Sequence, residues 1–372
     1  MRPFTLLLLI VIFFGCSDSS KSKPESYGIG FRTLHGVDKS RLYKLNTDSS
    51  DYLHFRPIDL DIWYPAVPSN NDTVLAFRNI LGLFDKRANY YTASTAGNGL
   101  SQQVAQLFCT GYHCSDTSTL LNFKTNSVKN SIPARGRFPI IVYFSAFNGM
   151  SYENYSLFED LARSGFVVVS ISSIGRFPGD MTMKKEDLME QVNDAVYGMK
   201  LLRDDPGIDF TKIGLVGYSW GGLAACAATG KISNIACIIS LDGSELHHYG
   251  QKDEDADFDD IVRSNVFGQI KMDVPYLRLQ SSSANKSPQA DSVFDFLARV
   301  SGEKQVFQVD SAQHEDFSCL SMIVRRAGHC RDDHRYQTVA TLVTAFFEQH
   351  LKMTNSFTTS LAKELNKTIS KK

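Results

Sequence analysis

A serine flanked by glycines is the residue of this chain best placed to do chemistry. Ser219 lies in the run Gly-Tyr-Ser-Trp-Gly-Gly, between the apolar residues Ile213–Val216 and the small residues Leu223–Ala228. A strand that turns sharply into a helix at such a serine strains its backbone and lifts its hydroxyl clear of the sheet. We therefore predict that Ser219 is a nucleophile. The backbone N–H of Trp220, at the start of the helix, would then face a developing oxyanion.

A serine hydroxyl is a poor nucleophile until a base takes its proton, and histidine is the usual base. The histidines that follow Ser219 are His247, His248, His314, His329, His334 and His350. We assign the base to His314, because it closely follows the last predicted core strand, 305–309. His247 and His248 follow the strand 235–241 too closely, and His329 and His334 lie beyond His314.

An acid must orient the imidazole and stabilise its charged form. Asp242 directly follows the predicted strand Ile235–Leu241, so it would lie at the carboxyl end of the strand after the serine helix. Asp291 is the second candidate, but it comes well after its nearest strand, 276–280. The alternative for Asp242 is a turn residue paired with Gly243.

The elements that must position these residues alternate along the chain. Apolar runs predict strands at 58–65, 139–144, 166–171, 213–216, 235–241, 276–280 and 305–309. Periodic or small-residue runs predict helices at 155–163, 185–203, 223–228 and 336–350. This alternation predicts an α/β fold with a mostly parallel sheet and helices on both faces. Residues 67–130 are polar and irregular with helix-like pieces near 77–90 and 99–108, and they predict an inserted cap. Residues 351–372 are predicted to be a polar, loosely attached tail.

Composition limits the class of protein. The chain has 372 residues, 43% of them hydrophobic and 21% charged, which is typical of a globular protein with a full core. The net charge of −1 favours neither nucleic acid nor an acidic membrane surface. The sequence has no HExxH motif, no C-x-x-C and no phosphate-binding glycine loop, so we expect neither a metal nor a cofactor.

The N-terminus has the features of an export signal. Arg2 precedes an apolar run, Phe4–Phe14, which is too short for a stable membrane span, and Gly15 and Cys16 follow it. A cysteine at this place resembles a bacterial lipoprotein signal, although Phe13 and Phe14 depart from the usual pattern. That resemblance implies a signal peptide at 1–15, a lipidated Cys16, a polar tether at 16–26 and attachment to a membrane. The alternative is an ordinary secretory signal that is cleaved from a secreted protein.

Six further cysteines fall into two groups. An exported protein resides where disulfides persist, so Cys109 with Cys114 and Cys319 with Cys330 are possible bridges. Cys226 and Cys237 lie in the serine helix and the strand after it, where we expect them to be small buried hydrophobic residues.

The serine motif, the Leu-Asp-Gly at Asp242 and the placement of His314 together resemble the platelet-activating-factor acetylhydrolase branch of the α/β hydrolases, a group of dienelactone-hydrolase-like serine esterases. Weaker matches lie at Ile62–Pro65, Phe138–Ser145, Leu161–Val168 and Asp209–Gly217, so the similarity covers about 55–65 and 137–350. The resemblance implies an α/β-hydrolase domain over 27–350 and a Ser219–His314–Asp242 triad. In that branch the acid follows the strand next after the nucleophile, as Asp242 does.

One departure from that branch concerns the oxyanion hole. Where the branch has Ser-His-Gly, this chain reads Ser145-Ala146-Phe147-Asn148-Gly149, and Asn148 would supply the second N–H by motif position. The loss of one oxyanion donor typically slows a hydrolase by about 100- to 1000-fold. The shape of this loop therefore decides whether the site is an efficient esterase.

The resemblance implies an exported serine hydrolase that cleaves short-chain acyl esters of small molecules or lipids. Two alternatives remain open at this point: an acetyl or feruloyl esterase acting on polysaccharides, and a surface binding protein that kept the fold and lost activity. The oligomeric state does not follow from the sequence.

Overall fold

The computed structural model describes residues 26–69, 72–93, 99–111, 116–172, 174–175, 181–246, 260–261, 264–268, 270, 272–282, 296–327 and 333–372. Eleven strands within these ranges form one sheet: β1 (Gly28–Leu42), β2 (Phe55–Ala66), β3 (Val74–Ala76), β4 (Lys124–Lys129), β5 (Phe138–Phe144), β6 (Val167–Ile171), β7 (Ile208–Tyr218), β8 (Ile235–Leu241), β9 (Tyr276–Gln280), β10 (Lys304–Val309) and β11 (Ile369–Lys371). Their order across the sheet is β11-β10-β9-β8-β7-β5-β6-β2-β1-β4-β3.

The strands β10, β9, β8, β7, β5 and β6 run parallel to one another and form the centre of the sheet. Most side chains of β5, β6, β8 and β9 are buried, because helices cover both faces of a parallel sheet. The continuous apolar runs that predicted these strands reflect this burial. The carboxyl ends of all six strands meet at one edge, which is where ligands bind in such sheets.

The other flank of the sheet differs from the sequence-based prediction. β2 pairs antiparallel with β6, and β1 pairs antiparallel with β2 over most of its fifteen residues. The segment 67–130, predicted only as a cap, also supplies β3 and β4, which pair with each other and extend the sheet beyond β1. The insertion is therefore partly a continuation of the sheet and partly a helical cover.

The helices whose bounds lie in the described ranges are α1 (Phe77–Thr92), α2 (Leu100–Gly111), α3 (Thr117–Asn122), α4 (Tyr155–Arg163), α5 (Lys185–Leu201), α6 (Trp220–Ala228), α7 (Asn265–Gly268), α8 (Cys319–Ala327), α9 (His334–Lys352) and α10 (Ser356–Glu364). One hydrophobic core joins α4, α8 and α9 to one face of the sheet, and a second joins α5 and α6 to the other. No helix in the described ranges has both the length and the apolarity needed to cross a membrane.

The C-terminal segment corrects the prediction of a loosely attached tail at 351–372. α10 packs on α9 through Phe357, which is buried against the ring of Phe346. β11 then pairs antiparallel with β10, and Ile369 is fully buried. The segment is polar in composition, but its two buried apolar side chains, Phe357 and Ile369, attach it to the core.

Candidate active site

Ser219 occupies the strained turn that the sequence predicts between β7 and α6. Its φ of 56° and ψ of −123° lie in a region that residues other than glycine rarely adopt. Its N–H donates to the Leu241 carbonyl oxygen at 3.0 Å, and its own carbonyl accepts from Gly222 and Ser244. These bonds tie the strained residue to β8 and to the helix, so the hydroxyl is held at the sheet edge.

The glycines beside Ser219 are required by close backbone contacts. A Cβ on Gly217 would lie 1.9 Å from the Gly221 carbonyl oxygen, and a Cβ on Gly221 would lie 1.9 Å from the Phe144 carbonyl oxygen. Neither contact is sterically possible, so any side chain at these positions would force β7, α6 and β5 apart. The glycine spacing around Ser219 therefore follows from the close approach of these backbones.

The structure brings the serine, the imidazole and the carboxylate together. His314 Nε2 lies 3.0 Å from Ser219 Oγ, and His314 Nδ1 lies 2.8 Å from Asp242 Oδ2. His314 begins a short 3₁₀ turn, His314–Phe317, after β10, and Asp242 follows β8 directly. With Nδ1–H donated to the carboxylate, Nε2 is free to accept the serine proton, which is the arrangement that activates a serine hydroxyl.

Asp242 is buried in a setting that keeps it ionised. Its side chain is 4% exposed, its φ is 45°, and its Oδ1 accepts the Ser281 N–H at 2.9 Å. Burial alone would raise the pKa of Asp242, but the hydrogen bond from His314 and the positive charge of Arg278 outweigh it and lower the pKa to about 2. The carboxylate is therefore charged at neutral pH and can stabilise an imidazolium.

A buried ion pair that the sequence did not predict lies beneath Asp242. Arg278 on β9 and Glu245 are both fully buried, and Arg278 Nη1 lies 2.6 Å from Glu245 Oε1. The same Nη1 donates to the Gly243 carbonyl oxygen at 2.8 Å, in the turn that carries Asp242. The sequence signal was an arginine between two leucines in the strand Tyr276–Gln280, since a buried charge needs a partner.

Tyr218, the residue before the serine, supports the imidazole. Its ring stacks on that of His314 with centroids 5.0 Å apart, and its hydroxyl donates to the His314 carbonyl oxygen at 3.1 Å. The His314 side chain is 48% exposed on its other side. The imidazole is therefore held from one side and is open to solvent and substrate from the other.

The two predicted oxyanion donors lie at the first residue of α6 and in the loop after β5. Trp220 is the first residue of α6, so its N–H has no carbonyl one turn earlier to bond. Asn148 has a φ of 49°, and its N–H donates to Met181 Sδ at 3.5 Å. A thioether is a weak acceptor, so an oxyanion would be a better partner for that N–H. The role of Asn148 stays a prediction.

The loop that carries Asn148 is shaped by a buried carboxyl group that the sequence did not predict. Glu153 Oε1 accepts the Ala146 N–H and the Tyr143 hydroxyl, each at 2.8 Å. A Cβ on Gly149 would lie 2.6 Å from Glu153 Oε2, so the loop closes tightly around this carboxyl group. Burial raises the pKa of Glu153 to about 7 despite these hydrogen bonds. No motif marked this residue.

The remaining predicted residues have mixed outcomes. Cys226 and Cys237 are buried, as expected. Cys319 is a buried free thiol whose Sγ lies 3.1 Å from the Glu153 carbonyl oxygen, so the predicted bridge to Cys330 is not formed. Cys109 is buried in the core. Several predictions concern residues outside the described ranges. These are the signal at 1–15, Cys16, Cys114, Cys330, Asp291 and most of the tether at 16–26.

Comparison with known proteins identifies the fold. A ferulic acid esterase from Streptomyces cinnamoneus superposes with a TM-score of 0.58 at 20% identity, over 90% of this chain and 93% of that one. An acylaminoacyl peptidase from Pyrococcus horikoshii has a TM-score of 0.42 at 16% identity, over 59% of this chain and 38% of that one, which is too loose to carry an argument. No protein-family model and no curated protein matches the sequence. The strand order and the first likeness show an α/β-hydrolase fold.

Proposed function

We propose that this protein is a serine hydrolase that cleaves carboxylic esters through an acyl-enzyme intermediate. The observation that carries the proposal is the continuous chain of hydrogen bonds from Ser219 Oγ through the His314 ring to Asp242 Oδ2. Such a chain is what converts a serine hydroxyl into a nucleophile. The partly exposed imidazole gives a substrate access to it.

In the first half-reaction Ser219 Oγ attacks the ester carbonyl carbon while His314 Nε2 takes the hydroxyl proton. The imidazolium is stabilised by the Asp242 carboxylate, and the Trp220 and Asn148 N–H groups would stabilise the oxyanion. His314 then passes its proton to the leaving alkoxide oxygen, so an alcohol departs and the acyl group stays on Ser219. In the second half-reaction His314 activates water, which releases the carboxylic acid and restores the serine.

The test is the reaction of the full chain with p-nitrophenyl acetate and with a fluorophosphonate probe. Ser219→Ala should lower kcat by about 10⁶-fold, as loss of a triad serine does, and should abolish labelling by the probe. Retained turnover in this variant, or a folded wild-type protein that reacts with neither reagent, would refute the proposal. The second result would favour the binding protein without activity.

The class of ester that serves as substrate is also part of the proposal. The resemblance in the sequence supports a platelet-activating-factor acetylhydrolase-like esterase acting on short-chain acyl esters of lipids or small molecules. The ferulic acid esterase with a similar fold makes a feruloyl ester the second candidate, and the aromatic side chains Phe84 and Tyr91 beside the loop of Asn148 favour it. A panel of phospholipid, acetyl-xylan and feruloyl esters would separate these substrates.

We also propose that the protein is exported and attached to a membrane through a lipid on Cys16. Arg2, the apolar run 4–14 and the Gly-Cys pair support this, as argued from the sequence. Expression in a bacterial host with and without Cys16→Ser, followed by fractionation and mass analysis of the N-terminal peptide, would test it. A wild-type protein found in the soluble fraction without a lipid would contradict the anchor and favour a secreted form.

A further inference from the structure

A cavity of about 610 Å³ lies between α1 and the carboxyl ends of β5 and β6. Its lining is mostly apolar, with Phe84, Ala88 and Tyr91 from α1, Ile58 from β2 and Ile171 at the end of β6. The volume is within the range of about 300–1,000 Å³ that is usual for pockets that bind small organic ligands. The cavity therefore has the size and the chemistry of a binding site for an apolar group.

The cavity is continuous with the loop that flanks the nucleophile. Phe147 packs edge-on against Trp220, with ring centroids 6.2 Å apart, so this part of the loop adjoins Ser219. The next residues along the chain, Asn148, Gly149 and Met150, line the cavity. An acyl group on Ser219 that extended past this loop would therefore enter the cavity.

The strand order indicates which part of an ester faces the cavity. His314 follows β10 and Asp242 follows β8, both on one side of β7, whereas the cavity lies on the other side, at β5, β6 and β2. His314 must protonate the leaving oxygen, so the alcohol portion lies on the side of the imidazole. The acyl portion, on the opposite side of the reacting carbon, then points towards the cavity.

We propose that this cavity binds the acyl group of the ester and that this group is bulky and apolar, of at least the size of an octanoyl or phenylpropanoyl group. The inference rests on the proposed function, and it replaces the short-chain acyl group implied by the sequence resemblance. An acetyl group would leave most of 610 Å³ unfilled. Arg87 supplies no site for an acidic acyl group, because its guanidinium pairs with Asp61 and lies 3.5 Å from Asp59.

The experiment compares p-nitrophenyl acetate, octanoate and 3-phenylpropanoate with wild type, Ala88→Trp and Gly82→Trp. The indole at position 88 enters the cavity, whereas a Cβ at Gly82, on the same helix, meets nothing within 4 Å and gives the matched control. Each buried methylene strengthens binding by about fourfold. The kcat/KM of wild type should therefore be at least about tenfold higher for octanoate than for acetate. Ala88→Trp should reduce that preference by at least about tenfold, and Gly82→Trp should preserve it.

A second series varies the alcohol instead of the acid, with methyl, butyl and octyl acetates. Under the acyl assignment, Ala88→Trp should not change the relative kcat/KM values within this series. If Ala88→Trp alters the alcohol series and leaves the acyl series unchanged, the cavity binds the leaving group and the inference is wrong. The relative rates for octanoate and 3-phenylpropanoate distinguish a flexible chain from an aryl group.

The inference and the proposed function fail in different ways. Wild type that hydrolyses acetate and labels at Ser219, but has no preference for longer acyl groups, overturns the inference alone. The absence of any labelling overturns the proposed function. Circular dichroism and thermal unfolding establish whether each tryptophan variant is folded. If Ala88→Trp proves unstable, Phe84→Ala takes its place: this variant enlarges the cavity and should shift the preference towards larger acyl groups.

Discussion

Asp242 is a residue whose neighbours keep it ionised without exposing it to water. Asp242→Asn would preserve the shape of the turn but would hold the His314 ring in the wrong tautomer, since an amide can donate to Nδ1. We expect kcat for p-nitrophenyl acetate to fall by about 10⁴-fold, with a folded protein. Asp204→Asn, an exposed change, is the control. A loss of less than tenfold would show that Asp242 does not orient the imidazole.

Glu153 should make the protein less stable as the pH rises. Its folded pKa of about 7 is above the ordinary 4.5, so the folded state keeps a proton that the unfolded state has released. The free energy of unfolding should therefore fall between pH 4.5 and 7, by about 3 kcal/mol from this group, and level off above pH 7. Urea unfolding across this range measures it.

Glu153→Gln removes that titration and keeps an oxygen that can accept from Ala146 and Tyr143. This variant should lose the decline between pH 4.5 and 7 and should be more stable than wild type at pH 8. Glu186→Gln, exposed on α5, should leave the decline unchanged. An identical decline in wild type and Glu153→Gln would show that another group causes it.

At the scale of elements, Arg87 attaches the cap helix α1 to the body of the protein. Its Nη2 lies 2.7 Å from Asp61 Oδ1, on β2, and its Nη1 donates to Ser151 Oγ at 2.9 Å, just after the loop that carries Asn148. Arg87→Met would leave the fully buried Asp61 without its cation. We expect a loss of about 3–5 kcal/mol in the free energy of unfolding, as for other broken buried pairs.

Lys86→Met, one residue earlier and exposed, is the matched control for Arg87→Met and should change stability by less than about 0.5 kcal/mol. Denaturant unfolding of both variants makes the comparison. Equal losses in the two variants would mean that α1 is attached mainly by its apolar face, through Phe77, Ile80 and Leu81.

The elements that could be predicted from sequence are those that are mostly apolar and have clear ends. β8 and β9 were predicted to the residue because most of their side chains are buried on one face or the other. β1 was missed because it is a flanking antiparallel strand with many exposed polar residues. β11 was missed because three residues with one buried side chain carry no pattern.

For the whole molecule, the sheet brings together residues that are far apart in the chain. Ser219, Asp242 and His314 were predictable because each follows a recognisable strand, and parallel strands end at one edge. Arg278 and Glu153 were not predictable, because their roles depend on burial against partners on other elements. A sequence shows which strands end together, but not which polar side chains are enclosed beneath them.

The buried thiols report on the integrity of the whole fold. Cys226, Cys237 and Cys319 are fully buried, and burial raises the pKa of each thiol well above its ordinary value. We expect these thiols to resist alkylation in native buffer and to react together as urea unfolds the protein. Peptide mapping by mass spectrometry after timed alkylation measures this. Rapid labelling of any of the three in native buffer would contradict it.

Both outermost strands of the sheet, β3 and β11, are only three residues long. A strand from a neighbouring molecule that paired with β3 or β11 itself would therefore find few N–H and C=O groups to bond. These two short strands are therefore poor templates for the addition of a strand from a second copy of the chain.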